Sequence, residues 1–158
     1  MKNIALLTFA FLALSCNSKA QDKKEKEIFP IAKTEAEWRT ELTEMEYYVL
    51  REAGTERAFT SELNKNYEPG TYVCAACSHP LFKSEYKFDS GTGWPSFDRE
   101  IEGNVAFDTD YKLGYARTEE HCANCGGHLG HVFNDGPRET TGIRHCINGA
   151  ALDFIPKN

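Results

Sequence analysis

Hydrophobic and polar positions along this chain fall into four successive textures, each predicting a different kind of segment. From Ile4 to Leu14 almost every position is apolar, with Lys2 just ahead. Gln21 to Glu27 is charged and lacks large apolar side chains. From Thr34 the apolar residues recur at helical spacing. Trp38 and Leu42 follow Thr34-Glu35-Ala36-Glu37, and Tyr48, Val49 and Leu50 follow Thr43-Glu44-Met45-Glu46. Both tetrapeptides have capping-box spacing, in which threonine and glutamate each satisfy the other's free backbone N–H. Two short helices are predicted, the second stopping at Gly54, a residue type that tolerates positive φ. Beyond Pro69-Gly70 short β-rich pieces alternate with Gly, Asn, Asp and Pro: 71–73, 86–88, 105–107, 113–117, 131–133 and 144–147. No long amphipathic segment follows Gly70, so a parallel βαβ pattern is excluded and a mostly antiparallel sheet protein is expected.

The first texture reads as an export signal. A helix needs about 20 apolar residues to span a bilayer, and this run is shorter. Small residues follow it at Ser15, Ser18 and Ala20. Ala13-Leu14-Ser15-Cys16 resembles a bacterial lipobox, with Cys16 as the lipidated residue, although Ala13 stands where Leu is usual. Cleavage after Ser18-Lys19-Ala20 is the alternative and would give a soluble periplasmic or secreted protein. The expected organisation is a signal and start of tether over 1–20, a tether over 21–32 and one domain over 33–158. The expected location is the bacterial cell envelope, facing the periplasm, with membrane contact only through lipid on Cys16. A formal charge of −6 argues against a nucleic-acid partner, which usually requires a basic face. A monomer is expected.

The six cysteines sort unevenly. Cys74-Ala75-Ala76-Cys77 and Cys122-Ala123-Asn124-Cys125 are two Cys-x-x-Cys knuckles. Each places two sulfurs on one tight turn, and two such pairs complete the tetrahedron that zinc prefers. One structural zinc is the favoured reading; iron is possible at an all-thiolate site. Disulfides, common in exported proteins, and a thioredoxin-like redox pair remain alternatives. With Cys16 at the leader, Cys146 in Arg144-His145-Cys146-Ile147-Asn148 has no partner left. On a strand, Arg144, Cys146 and Asn148 share one face, and His145 and Ile147 the other. A guanidinium beside a sulfur favours the reactive thiolate. Upstream, 127–137 carries His128, His131 and Asp135 among glycines, in a loop-like composition that often bears functional groups. Trp94, in Ser90-Gly91-Thr92-Gly93-Trp94-Pro95-Ser96-Phe97, is held in a turn and suits the wall of a small apolar pocket.

Taken together, these stretches resemble the methionine sulfoxide reductase B family. The matching elements are 91–97, both knuckles, 126–137 and 144–148, in the family's order, within a resemblance running from Lys33 to Pro156. The resemblance implies two antiparallel sheets with N-terminal helices, and reduction of the R epimer of peptide-bound methionine sulfoxide. It makes Cys146 the nucleophile and places Trp94 on the substrate methyl. It gives His128, His131 and Asn148 to the sulfoxide oxygen, with Arg144 and Asp135 supporting the thiolate and the histidine segment. Thr92 stands where many relatives have a resolving cysteine, so an outside, thioredoxin-like thiol is expected to reduce the Cys146 sulfenic acid. His145 stands where an aromatic is common, and Gly149 where Ser is common. A zinc-stabilised binding module without catalysis and a thiol peroxide sensor are the competing readings.

Overall fold

The computed structural model describes residues 29–158; the leader 1–20 with Cys16, and 21–28 of the charged stretch, lie outside the described residues. Two helices open the domain, α1 (Glu35–Glu41) and α2 (Glu44–Glu52). Both capping boxes form. The Thr34 amide donates to Glu37 Oε2 at 2.7 Å, and the Glu37 amide donates to Thr34 Oγ1 at 3.3 Å. Thr43 and Glu46 repeat this at 2.8 and 3.3 Å. α2 ends one residue earlier than predicted, because Ala53 takes the left-handed conformation at φ 50°. Gly54 is needed for room instead: a Cβ there would lie 2.3 Å from the Tyr48 ring.

Nine strands follow, and every ladder is antiparallel. β1 (Gly70–Cys74) lies between β2 (Pro80–Lys83) and β9 (Leu152–Pro156) in a three-stranded sheet. The second sheet contains β3 (Lys87–Phe88), β4 (Ser96–Phe97), β5 (Val105–Asp110), β6 (Arg117–Cys122), β7 (His128–Phe133) and β8 (Arg144–Ile147). Its order is β3-β4-β8-β7-β6-β5, so β8 and β7 occupy the middle. Trp38, Val49, Leu50, Tyr72, Leu81, Phe82, Phe97, Leu129 and Ile147 bury their side chains where the helices and sheets meet. Phe82 stacks on Phe97 at 4.3 Å between ring centroids, and Tyr72 meets Phe97 edge-on at 5.0 Å. Fully burying such aromatic side chains stabilises by roughly 1.5–3 kcal/mol each.

Three expectations are displaced. The piece read as a strand at 113–117 is mostly the β5–β6 turn, with Tyr111, Leu113 and Tyr115 exposed. β6 begins at Arg117 and is built from charged residues, Arg117-Thr118-Glu119-Glu120-His121, which hid it from hydrophobic alternation. The strand expected at 131–133 starts earlier, so His128 lies on β7 with His131 rather than in a loop. Phe29 and Ile31, from the stretch read as tether, lie on the second knuckle. The Ile31 amide donates to the Asn124 carbonyl at 2.8 Å, and the Phe29 ring covers Gly126, where a Cβ would come within 2.3 Å. No helix among the described residues is long and apolar enough to cross a membrane.

Candidate active site and metal centre

The two knuckles end β1 and β6, and the fold brings them together. All four sulfurs of Cys74, Cys77, Cys122 and Cys125 lie within 4.8 Å of one another. Cys74 and Cys125 sulfurs are 3.7 Å apart, and Cys77 and Cys122 sulfurs 3.6 Å. A tetrahedron with Zn–S bonds of about 2.3 Å has S···S edges of about 3.8 Å, so the spacing fits one metal ion. Both knuckles use the same turn. The Ser78 amide donates to the Cys74 carbonyl at 2.7 Å and the Gly126 amide to the Cys122 carbonyl at 2.8 Å. Ser78 and Gly126 are both left-handed, at φ 57° and 68°. With four protein ligands such a site is closed, which suits a fold staple joining the two sheets.

Cys146 lies on central strand β8, directly across from Ser96 of β4 and His131 of β7. The predicted alternation holds. Cys146 and Asn148 line one small cavity of about 170 Å³, together with Trp94, Thr55, Arg117, Gly130, His131 and Phe133. His145 points away, to Glu120 and to Glu100 at 3.3 Å, and Ile147 enters the core. Gly130 is required by crowding, since a Cβ there would stand 2.0 Å from the Cys146 carbonyl oxygen.

Behind the sulfur, Arg144 reaches Asp135 through two hydrogen bonds, Nε–Oδ1 at 2.8 Å and Nη2–Oδ2 at 3.0 Å, while its guanidinium lies 4.5 Å from the Phe133 ring centre. This pair holds Asp135 below the usual carboxylate range. The charge of Arg144 and hydrogen bonds from Arg144 and Thr92 favour the Cys146 thiolate, yet burial outweighs them and the thiol stands above its ordinary value. The guanidinium favours the thiolate as expected, but desolvation of the charged form is the larger effect.

The histidines are three apart, a spacing that regular alternation would send to opposite faces. A bulge prevents this. Glu120 pairs with Gly130 but His121 pairs with His128, so Leu129 is an extra residue in β7. The bulge re-aims the strand, and the two rings come to 5.4 Å between centroids. His131 Nε2 meets Asp110 Oδ2 at 2.9 Å, and Asp110 is also held by Arg117. The Lys112 amide and these partners keep the Asp110 carboxylate down at about 2, so Nε2 carries the shared hydrogen. Burial lowers His131 below its usual value, against the pull of Asp110. His128 Nδ1 meets Glu119 Oε1 at 2.6 Å, and its Nε2 is buried with no hydrogen-bond partner among the described residues. His128 lines an adjoining cavity of about 260 Å³ that shares Thr55, Arg117 and His131 with the first.

Of the residues singled out in the sequence, Cys146, Asn148, His131 and Trp94 therefore meet in one cavity. Arg144 and Asp135 stand behind the sulfur, and His128 is one cavity removed. Asp110, Arg117, Glu119 and Thr55 were not singled out. For Asp110 and Glu119 the signal was the density of acids on β5 and β6, which matter because they face histidines; Arg117 and Thr55 carried none. Trp94 Nε1 donates to the Glu56 carbonyl at 3.2 Å. Asn148 is fixed at both ends of its amide: Oδ1 accepts from the Glu56 amide at 3.0 Å, and Nδ2 donates to the Leu129 carbonyl at 2.9 Å.

A family model described as the SelR domain matches residues 42–156. The chain is 53% identical over 127 residues to the peptide methionine sulfoxide reductase MsrB of Leptospira interrogans, covering 80% of this chain and 96% of that protein. It is 53% identical over 127 residues to that of Burkholderia cenocepacia, at 80% and 89% coverage, and 53% over 131 residues to that of Leifsonia xyli, at 82% and 94%. Together with the antiparallel double sheet, the four-sulfur centre and the Cys146 cavity, these matches place the chain in the SelR-domain family, that of the methionine sulfoxide reductases B.

Proposed function

We propose that this protein reduces peptide-bound methionine (R)-sulfoxide to methionine, with Cys146 as the nucleophile. The observation that carries this reading is a single cavity holding a nucleophilic sulfur, an indole wall, an amide donor and a carboxylate-oriented imidazole. The substrate sulfur meets Cys146, its methyl packs on Trp94, and its oxygen faces Asn148 Nδ2 and His131. A sulfoxide sulfur becomes electrophilic as its oxygen gains a proton, while the attacking thiol must lose one. Separating the two groups across a strand pair resolves that conflict. The Cys146 thiol proton passes to the oxygen through His131, the oxygen is transferred to the Cys146 sulfur, and the thioether leaves. Cys146 is oxidised by two electrons to the sulfenic acid as methionine sulfur is reduced by two.

No second cysteine among the described residues adjoins Cys146, and Thr92 occupies the neighbouring position. An external thiol therefore condenses with the sulfenic acid, releasing water, and a second thiol frees Cys146. A thioredoxin-like protein is the proposed donor. Zinc is the proposed occupant of the four-cysteine centre, where it takes no part in the reaction. Oxidised exported proteins are the proposed substrates, with the enzyme working as a monomer, held at the envelope by lipid on Cys16.

Separated R- and S-sulfoxide peptides with dithiothreitol test the central claim. Turnover of the R form alone is expected, and no turnover of the R form rejects it. Cys146→Ser should abolish turnover and leave metal content unchanged. After one turnover without reductant, mass spectrometry should find oxidised Cys146 and no intramolecular disulfide.

A further inference from the structure

Glu56 is a buried carboxylate in the irregular segment after α2, at 5% exposure. Two of its four polar groups bond residues that line the cavity, Trp94 and Asn148. The backbone carbonyl accepts from Trp94 Nε1, and the backbone amide donates to Asn148 Oδ1. The carboxylate receives two further amides: Gly149 N–H donates to Oε1 at 2.6 Å and Ala150 N–H to Oε2 at 2.9 Å. Those amides begin the 3-10 turn Gly149–Ala151 that starts at Asn148. One residue thus grips the indole wall, the oxygen-facing amide and the turn that carries it.

The geometry points to Glu56 as a positioning residue of the sulfoxide site, whose carboxylate acts through Asn148. This rests on the proposed sulfoxide reduction. An asparagine amide can face a cavity with either oxygen or nitrogen, and the two have opposite polarity. The Glu56 amide is a donor and the Leu129 carbonyl an acceptor, so together they permit one orientation. The second Nδ2 hydrogen is left for the sulfoxide oxygen. The carboxylate holds this arrangement because two charge-assisted bonds fix the 149–150 amides relative to the Glu56 backbone. Gly149 belongs to the same device. A Cβ there would lie 2.0 Å from Ser61 Oγ and 3.1 Å from Glu56 Oε1, so the departure from serine at 149 makes room for the Ser61 side chain and the carboxylate.

Glu56→Gln is the informative change, because it keeps the volume and the backbone bonds but turns one acceptor into a donor aimed at an amide N–H. In the full-length protein, the single-turnover rate of methionine formation from an R-sulfoxide peptide is expected to fall by about tenfold to a hundredfold. Cys146 alkylation by iodoacetamide, which does not need Asn148, should stay near the wild-type rate. A double-mutant cycle separates positioning from mere folding. In an Asn148→Ala background Glu56→Gln should cost less than threefold, because the group it orients is gone. A Glu56→Gln protein with wild-type single-turnover rate overturns the inference. So does an equal loss in both backgrounds, or a loss that disappears once activity is normalised to the folded fraction. The wild-type protein in the same assay reports separately on the reductase reading, since its failure to turn over sulfoxide would sink that reading whatever Glu56 does.

Discussion

At the scale of single residues, ionisation at Cys146 is a contest between burial and two neighbours. Burial raises the thiol; Arg144 and Thr92 pull it back without prevailing. The alkylation rate of Cys146 is expected to rise with pH through a midpoint above that of an ordinary thiol, about 8.5. Arg144→Ala should move that midpoint higher, and a midpoint that stays in place would show that the guanidinium does not act on the sulfur. Asp110 sets the neighbouring histidine. Asp110→Asn leaves His131 free to carry its hydrogen on the wrong nitrogen, so single-turnover reduction should drop on the order of a hundredfold, with little change in KM. The same carboxylate gives an acid signature. Its folded-state value of about 2 lies below the unfolded value near 3.9, so its stabilisation is complete above that value and is lost as pH falls toward 2. An acid unfolding curve of Asp110→Asn should be flatter over that window. Cys146 was legible from the cysteine count alone, and Trp94 from its turn. Asp110 and Arg117 were not, because an acid or a cation in isolation is usually a solvated surface group, and only pairing across strands reveals the partner.

At the scale of elements, the capping boxes and the antiparallel character were legible because both rest on local patterns. Strands β4 and β9 were not, since their pairing is long-range: β9 joins β1, and β4 joins β8; β2, a four-residue strand starting at Pro80, was also missed although it pairs locally with β1. β6 failed for a different reason. Its charged residues obey the chemistry of the site rather than the hydrophobic alternation of a sheet, with Glu120 wholly buried against His145 and the partly buried Glu119 paired with His128. The bulge at Leu129 also left no sequence mark, although it brings both histidines to one side. The β7–β8 approach gives the sharpest element-scale prediction. Gly130→Ala forces a methyl into the Cys146 carbonyl, so the strands must part, and a loss of roughly 3 kcal/mol or more is expected. Thermal unfolding would check it, and a near-normal midpoint would mean the strands separate easily.

At the scale of the whole molecule, the four-sulfur centre ties the end of β1 in one sheet to the end of β6 in the other. With zinc bound, chelation or Cys125→Ser should lower the melting temperature by roughly 10 °C or more, and activity should fall in step with the folded fraction. Activity lost from a protein that stays folded would give the metal a role other than a staple.

The position of the proposed nucleophile, Cys146, on a middle strand has a stereochemical consequence. Sulfoxide sulfur carries two carbons, an oxygen and a lone pair, so it exists in left- and right-handed forms. Telling such forms apart requires three fixed points that are not in line, and a mobile loop would blur them. Here Cys146 is flanked by β4 and β7, Trp94 hangs from Glu56, and Asn148 is bonded at both ends. A mirror-image substrate that presents its sulfur to Cys146 and its methyl to the indole would aim its lone pair, instead of its oxygen, at the amide. Handedness in the product pattern is then a readout of how stiff this sheet is.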